Sequence, residues 1–271
     1  MLASIQKPLA FIQRDFINET TYRFSFLTQF FGILVSTLTF FFVAKLLKDV
    51  GASYMKPYGG SYFSFVLIGV AFFSYLGVSL QSLSKSIREG QMLGTLEALL
   101  VTQTEIPTIL VCSSLYGFLW SSFRVAVYLL LGVFAFGVDI GNANVAGALL
   151  ILVLTIVSFS SLGIISASFI MVLKKGDPVS WVFTGLSSLL GGLYYPISIL
   201  PDWLQSISYL LPITYSLEGM RFALLKGYSL NELLPCILPL VIFSVIMVPL
   251  SVVIFGYAVK RAKRDGTLTQ Y

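Results

Sequence analysis

Long apolar runs, separated by short segments that hold most of the charged residues, make up the chain from residue 24 onward. A transmembrane helix needs about 20 mainly apolar residues, because hydrocarbon offers no partner for free backbone N–H and C=O groups. Six runs supply such lengths: 24–44, 61–84, 106–138, which contains Arg124, 140–173, 178–201 and 233–259. The pattern predicts an all-α polytopic membrane protein with six transmembrane helices.

The composition argues against several other classes of protein. Hydrophobic residues make up 57% of the chain and charged residues only 11%, whereas a soluble domain carries about 25% charged residues. Histidine is absent, which removes histidine metal sites and Ser-His-Asp triads. The Lys and Arg residues are scattered between apolar runs despite a net charge of +5, so nucleic acid is not an expected partner. Membrane lipids are expected partners instead.

The Lys and Arg residues in the short loops predict the orientation, since cytoplasmic loops carry an excess of them. The side that holds both termini carries eleven, the opposite side carries five, and Arg124 lies within a span. Both termini are therefore predicted to be cytoplasmic, in a chain of the cell inner (plasma) membrane.

The first residues show a helical pattern of their own. Leu9, Ile12 and Phe16 recur at helical spacing, with Arg14 and Asp15 largely on the other side. Such an amphipathic segment is typical of a helix that lies on a membrane surface. Residues 1–22 are predicted to form an interfacial helix on the cytoplasmic side.

The segment 85–105, between the second and third runs, is cytoplasmic and amphipathic in this interpretation. Thr95 is a suitable helix cap, and Glu97 falls in the first turn, where the helix dipole favours an anion. Leu96, Leu99 and Leu100 form an apolar face. Two interpretations stay open at this point: the helix rests on the protein's own cytoplasmic ends, or it docks a soluble partner.

The segment 191–231, before the last run, is apolar but too broken to span a bilayer. Its apolar stretch 203–217 has 15 residues and contains Pro212, so as a helix it rises only about 23 Å. We predict two short helices, roughly 202–211 and 213–226, that dip into the outer leaflet and return. Non-helical backbone at that depth survives only when it is buried in protein or lines a wet cavity.

Two motifs within these segments resemble the ABC-2 type transporter permeases. The segment before the last span resembles the family signature, and the segment after the second span resembles its coupling-helix region. The signature positions are Pro196, Pro201, Pro212, Tyr215, Glu218, Arg221 and Gly227, and the coupling positions are Glu89, Gly94, Thr95, Leu96, Glu97 and Leu100. One departure is visible: Val101-Thr102-Gln103-Thr104 lacks the proline that many members carry there.

The resemblance implies a single membrane domain, residues 1–271, that works as half of an ATP-driven exporter of drugs, lipids or glycans. It implies a second permease copy or homologue and two cytoplasmic ATPase subunits, which would bind ATP-Mg and receive the helix within 85–105 in a groove. No G-x-x-x-x-G-K-[ST] motif occurs in this chain, so ATP is expected in the partner and no cofactor here.

Candidate pathway residues remain open at the level of sequence. Arg124 has three interpretations: internal pairing with a backbone carbonyl or an acid, snorkelling to the inner headgroups, or contact with an anionic substrate group. Tyr194 and Tyr195 are candidates for a conduit, and Glu218 and Arg221 are spaced for an i,i+3 pair. A secondary transporter is disfavoured because every acidic residue falls at a loop or span end, while composition does not exclude a channel.

Overall fold

The helices of a computed structural model match the apolar runs. The structure describes residues 8–13, 16–17, 23–47, 52–92, 106–173 and 177–264, and these parts contain helices and connecting turns but no strand. Its main helices are α1 Arg23–Leu46, α2 Tyr62–Met92, α3 Ile106–Phe136, α4 Val145–Leu173, α5 Pro178–Leu190, α6 Asp202–Ser208, α7 Pro212–Arg221 and α8 Leu234–Arg264. The all-α prediction is confirmed for the described residues, and residues 8–13 and 16–17 near the N-terminus are also helical.

Five of the described helices, α1, α2, α3, α4 and α8, are long and apolar enough to cross a membrane. The polytopic architecture is therefore confirmed. The predicted span 178–201 contains α5, which has 13 residues and rises only about 20 Å. It ends at Gly191, and Gly192 follows with φ +73°, a conformation that glycine adopts readily. The count of six spans stays a prediction.

Helix α4 lies at the centre of the bundle, between α2 and α8. Its buried face is rich in small residues, namely Ser158, Ser161, Gly163, Ser166, Ala167 and Ser168. A Cβ on Gly163 would lie 2.2 Å from the carbonyl oxygen of Ser79 on α2, so the two backbones touch at this point. Small buried residues of this kind allow helices to approach closely within a membrane.

Pairs of hydroxyl groups hydrogen-bond across these close contacts. Ser158 bonds Ser244 of α8 at 2.9 Å, and Ser84 of α2 donates to Ser166 at 3.0 Å. Ser166 in turn donates to Asp177, whose carboxylate caps α5 by accepting from the Ser180 backbone N–H at 2.9 Å. These bonds satisfy polar groups that have no water to bind inside the bundle.

The two short helices predicted before the last span are present as α6 and α7. Helix α7 begins with Pro212 and continues as a π-helical turn, Phe222–Lys226, that ends at Gly227 with φ +65°. The helices are thus close to the predicted ranges 202–211 and 213–226. Their position within the outer leaflet stays a prediction.

Substitution of Gly163 by Ala is expected to lower the stability of the bundle by about 1 to 3 kcal/mol, because the new methyl group forces α4 away from the α2 backbone. The thermal unfolding midpoint of the purified protein in detergent measures this effect. Gly77→Ala on α2 is the matched control, since nothing lies within 4 Å of its Cβ position. Equal midpoints for the two variants would contradict the close packing described here.

Candidate functional site

Arg221 joins three separate parts of the chain at the end of α7. Its side chain is buried, and its Nε donates to the Phe65 carbonyl of α2 while its Nη2 donates to the Leu193 carbonyl, both at 3.0 Å. The guanidinium carbon also lies 3.4 Å from the centre of the Phe65 ring. A charged group buried in this way needs several donors satisfied at once, which the guanidinium fork achieves with two carbonyls and a ring face.

Gly69 on α2 makes room for this arrangement. A Cβ at this position would lie 2.6 Å from the Arg221 Nη2 and 2.7 Å from the Leu193 carbonyl oxygen. The loop after α5 therefore lies directly against the α2 backbone, and only a residue without a side chain fits between them.

The predicted pair between Glu218 and Arg221 is not a hydrogen-bonded pair. The Arg221 donors go to the two carbonyls, while the Glu218 Oε1 accepts from the Tyr58 hydroxyl at 3.4 Å. Burial, and next the charge of Glu218, raise the pKa of Tyr58 to about 12, so the phenol stays protonated and acts as the donor. Tyr58 also stacks on Phe222, with ring centres 5.5 Å apart. Through these contacts, Tyr58 connects the loop between α1 and α2 to the helix α7 and the turn that follows it.

The remaining signature residues shape the ends of the short helices. Pro201 and Pro212 stand at the starts of α6 and α7, and Pro196 precedes the 3-10 turn Ile197–Ile199. The Tyr215 hydroxyl donates to the Tyr209 carbonyl at 2.8 Å. A Cβ on Gly227 would lie 2.1 Å from the Asn142 carbonyl oxygen, so this glycine permits both the left-handed turn and the contact with the loop after α3.

A cavity of about 530 Å³ opens beside this assembly, where α1 and α3 end and α2 begins. Three aromatic rings pack together in its wall, with centres 4.7 Å apart for Phe41 and Phe136, 5.1 Å for Phe63 and Phe136, and 5.7 Å for Phe41 and Phe63. Lys45 and Asp139, both exposed, also line it. This cavity is not visible from the sequence, because its residues come from the ends of three different runs and only packing brings them together.

Arg124 has a partner within the chain, but it is a side-chain amide and not the backbone carbonyl or acid considered from the sequence. Its Nη2 donates to the Gln29 Oε1 of α1 at 3.2 Å, and the Trp120 Nε1 donates to the same oxygen at 2.6 Å. Gln29 was not among the predicted site residues, although a polar residue near the start of the first apolar run was an available signal.

The other two predicted pathway residues lie on the loop after α5. Tyr194 stacks against Phe40 of α1, with ring centres 5.7 Å apart. The Tyr195 hydroxyl donates to the Leu189 carbonyl. A pathway role for Tyr194 and Tyr195 stays a prediction.

Of the predicted coupling residues, Glu89 is described and lies 3.8 Å from Lys85 on the last turns of α2. The other five, Gly94, Thr95, Leu96, Glu97 and Leu100, lie outside the described residues. In the described parts of the chain, no group of three or more His, Cys, Asp or Glu residues is arranged to hold a metal ion.

Comparison with known proteins decides the family. The family model described as "ABC-2 type transporter" matches residues 9–225. The chain belongs to this family. This ABC-2 permease is 27% identical over 197 residues to the inner membrane transport permease YadH of Escherichia coli K12, a match that covers 71% of the chain and 73% of YadH. It is also 24% identical over 179 residues to the probable multidrug ABC transporter permease YbhR of Escherichia coli K12, covering 65% of the chain and 47% of YbhR.

These matches bear on what kind of protein the chain is. Both relatives are named as permeases, which agrees with a membrane transport subunit of an ABC transporter and with a multi-pass location in the inner membrane. The family match extends from the N-terminal helical residues through Arg221. The Arg221 assembly is therefore part of the family domain.

Replacement of Arg221 by Met in this permease is expected to destabilise the fold by about 1 to 3 kcal/mol, because the buried Leu193 carbonyl, which lies outside any helix, loses its donor. Met keeps much of the side-chain volume, so the loss reports hydrogen bonding more than packing. The thermal unfolding midpoint in detergent measures it. Lys226→Met removes an exposed basic residue five positions later and is expected to leave the midpoint unchanged; a similar decrease in both variants would contradict the assignment.

Proposed function

We propose that this chain is the membrane-spanning subunit of an ATP-driven ABC exporter, which moves an amphipathic or lipid-linked substrate such as a drug, lipid or glycan outward from the cytoplasmic side. The family match over residues 9–225 carries the proposal. In it, a second permease copy or homologue completes the pathway, and two ATPase subunits bind ATP-Mg on the cytoplasmic side. Both termini are cytoplasmic.

In this proposal, helix α2 connects the ATPase subunits to the transport pathway. Glu89 lies near its C-terminal end, beside the predicted coupling segment, and Phe65 lies near its N-terminal end, where Arg221 binds. These two residues are 24 positions apart, or about 36 Å along a helix. Movement of α2 therefore reaches α7 and the loop after α5 through the Arg221 hydrogen bonds.

The aromatic cavity lies where α1 and α3 end and α2 begins, at the end of α2 that is opposite to Glu89. With both termini inside, this end faces outward. Its wall joins three phenylalanine rings to the exposed Lys45 and Asp139 at the rim. Such a lining suits the release of a molecule with an apolar body and a polar head, which supports an amphipathic substrate.

An ion-driven transporter or a channel without an ATPase is the alternative function. Ion-coupled sites within membranes typically use Asp, Glu or His. In the described residues of the five long helices, the only carboxylate is that of Glu89, near the end of α2. Copurification of an ATPase with the chain separates the exporter from both alternatives.

Glu97→Arg is expected to leave the permease folded and inserted while it abolishes substrate-stimulated ATP turnover, because a reversed charge in the coupling helix disrupts its contact with the ATPase. ATP hydrolysis by the reconstituted complex is the measurement. Glu232→Arg is the matched control, since Glu232 is an exposed carboxylate on the opposite side in this topology. Normal stimulation in the Glu97 variant would remove this residue from the coupling surface.

The proposed orientation is tested by cysteine labelling. Both native cysteines, Cys112 and Cys236, are buried, and a background with Ser at both positions accepts single new cysteines. Gln103→Cys is expected to react with a membrane-impermeant maleimide only in inverted vesicles, and Ser229→Cys only in right-side-out vesicles. The opposite pattern would place residues 85–105 outside the cell and overturn the exporter proposal.

A further inference from the structure

Arg124 places a permanent positive charge within the apolar part of α3. The candidate span of this helix is Ser114–Phe136, and Arg124 lies ten residues after its start, which is about 15 Å along the helix. Charged side chains are costly at such depths and usually pair with another charge or face a wet cavity. A guanidinium does not escape by losing its proton, so its surroundings must satisfy the charge.

The partner that the chain supplies is neutral. Among the described residues, Arg124 makes one hydrogen bond, from Nη2 to the Gln29 Oε1, and no ion pair. The Trp120 Nε1 donates to that same oxygen, which leaves the Gln29 amide with little further capacity to accept. Most of the five guanidinium N–H donors, and the full positive charge, remain available to an anion.

The depth of this cluster follows from the register of α1 and α3. Gln29 contacts Arg124, and Phe41 contacts Phe136 twelve residues further along both helices, so α1 and α3 run side by side in the same direction. Gln29 lies 16 positions before Lys45, or about 24 Å along the helix, in a hydrocarbon layer about 30 Å thick. With the termini inside, the α1 register places the guanidinium near the inner boundary and the α3 span places it about 15 Å from that boundary, so the guanidinium lies in the inner leaflet.

Apolar side chains beside the cluster are exposed on the surface of the chain. The rings of Phe30, Trp120 and Phe123 pack together beside it, with centres between 5.4 and 6.2 Å apart. Leu119 is 54% and Phe123 47% exposed. A positive charge in the inner leaflet, beside an exposed aromatic and aliphatic surface, fits a ligand with an anionic head and an apolar tail.

We propose that Arg124, Gln29 and Trp120 form a binding site for the anionic headgroup of an amphiphile that reaches the bundle between α1 and α3 from the inner leaflet. Arg124 binds a phosphate or carboxylate oxygen, Gln29 and Trp120 hold the guanidinium in place, and the aromatic rings contact the apolar tail. The leaflet and the use of the site in transport rest on the proposed function, whereas binding itself requires no ATPase.

Tryptophan fluorescence provides the test, because Trp120 is part of the site. The chain has three tryptophans, and replacement of the exposed Trp181 and Trp203 by Phe leaves Trp120 as the only reporter. This protein is reconstituted in phosphatidylcholine vesicles with brominated phosphatidylglycerol or brominated phosphatidylcholine as the quencher. We expect a preference of about fivefold for the anionic lipid. Equal quenching by the two lipids would overturn the proposal.

Variants separate a binding site from a purely structural contact between α1 and α3. Gln29→Glu supplies an internal carboxylate that neutralises Arg124, so we expect it to keep the thermal midpoint and to abolish the preference for the anionic lipid. Arg124→Gln is expected to abolish it and Arg124→Lys to keep most of it, while Lys226→Gln, which removes an exposed charge after α7 and away from this cluster, leaves it unchanged. A preference retained in both Gln29→Glu and Arg124→Gln rejects the site.

A second measurement distinguishes the two sources of such a headgroup. In the complex with its ATPase, an anionic amphiphile that is transported raises ATP turnover, and Arg124→Gln increases the concentration needed for half-maximal stimulation by about fivefold. Quenching by phosphatidylglycerol without such stimulation assigns the site to a resident membrane lipid. Absence of any ATPase coupling would count against the proposed function alone, since the quenching preference is measured on the permease by itself.

Discussion

The requirement that every backbone polar group find a partner inside the protein governs this structure. In hydrocarbon no water replaces a missing hydrogen bond, so the chain is helical wherever it is long and apolar. The informative places are those where a helix stops. The loop after α5 exposes the Leu193 carbonyl, and Arg221 from α7 donates to it and to the Phe65 carbonyl. The segment before α8 has a similar arrangement, since Asn144, from the loop after α3, donates to the Tyr228 carbonyl.

At the centre of the bundle, the helices approach closely enough for side-chain hydroxyl groups on neighbouring helices to hydrogen-bond to one another. Lipid tails are as apolar as leucine, so helices in a membrane gain little from burying large apolar side chains and more from tight contact. Gly163 and the serines of α4 let α2 and α8 approach closely, and hydroxyl pairs such as Ser158 with Ser244 form across the contact. A tightly packed centre allows α2 to move as a rigid element between the two ends that the proposed function connects.

The two arginines buried or half-buried in the bundle contrast in how their charge is satisfied. Arg221 is enclosed by two carbonyls and a ring face, and Glu218 is close enough to interact with its charge. Within the described parts of the chain, Arg124 has one partner, the neutral amide of Gln29, and it lies beside exposed rings. The first arrangement is complete within the chain and stabilises the junction of α2, α7 and the loop after α5. The second is open to a molecule from outside.

Sequence alone indicated that the chain lies mainly in a membrane, that it is helical, where its long apolar helices lie and which family it resembles. Run lengths, charge distribution and short motifs are local properties, so they can be read without the tertiary structure. It also placed α6 and α7, since prolines act locally. It did not determine which partners Arg221 and Arg124 use, and the expected Glu218 bond went to Tyr58 instead. Nor did it reveal the cavity whose wall contains the packed rings of Phe41, Phe63 and Phe136. Those features depend on helix register and on distances between segments far apart in the chain, which only the tertiary structure decides.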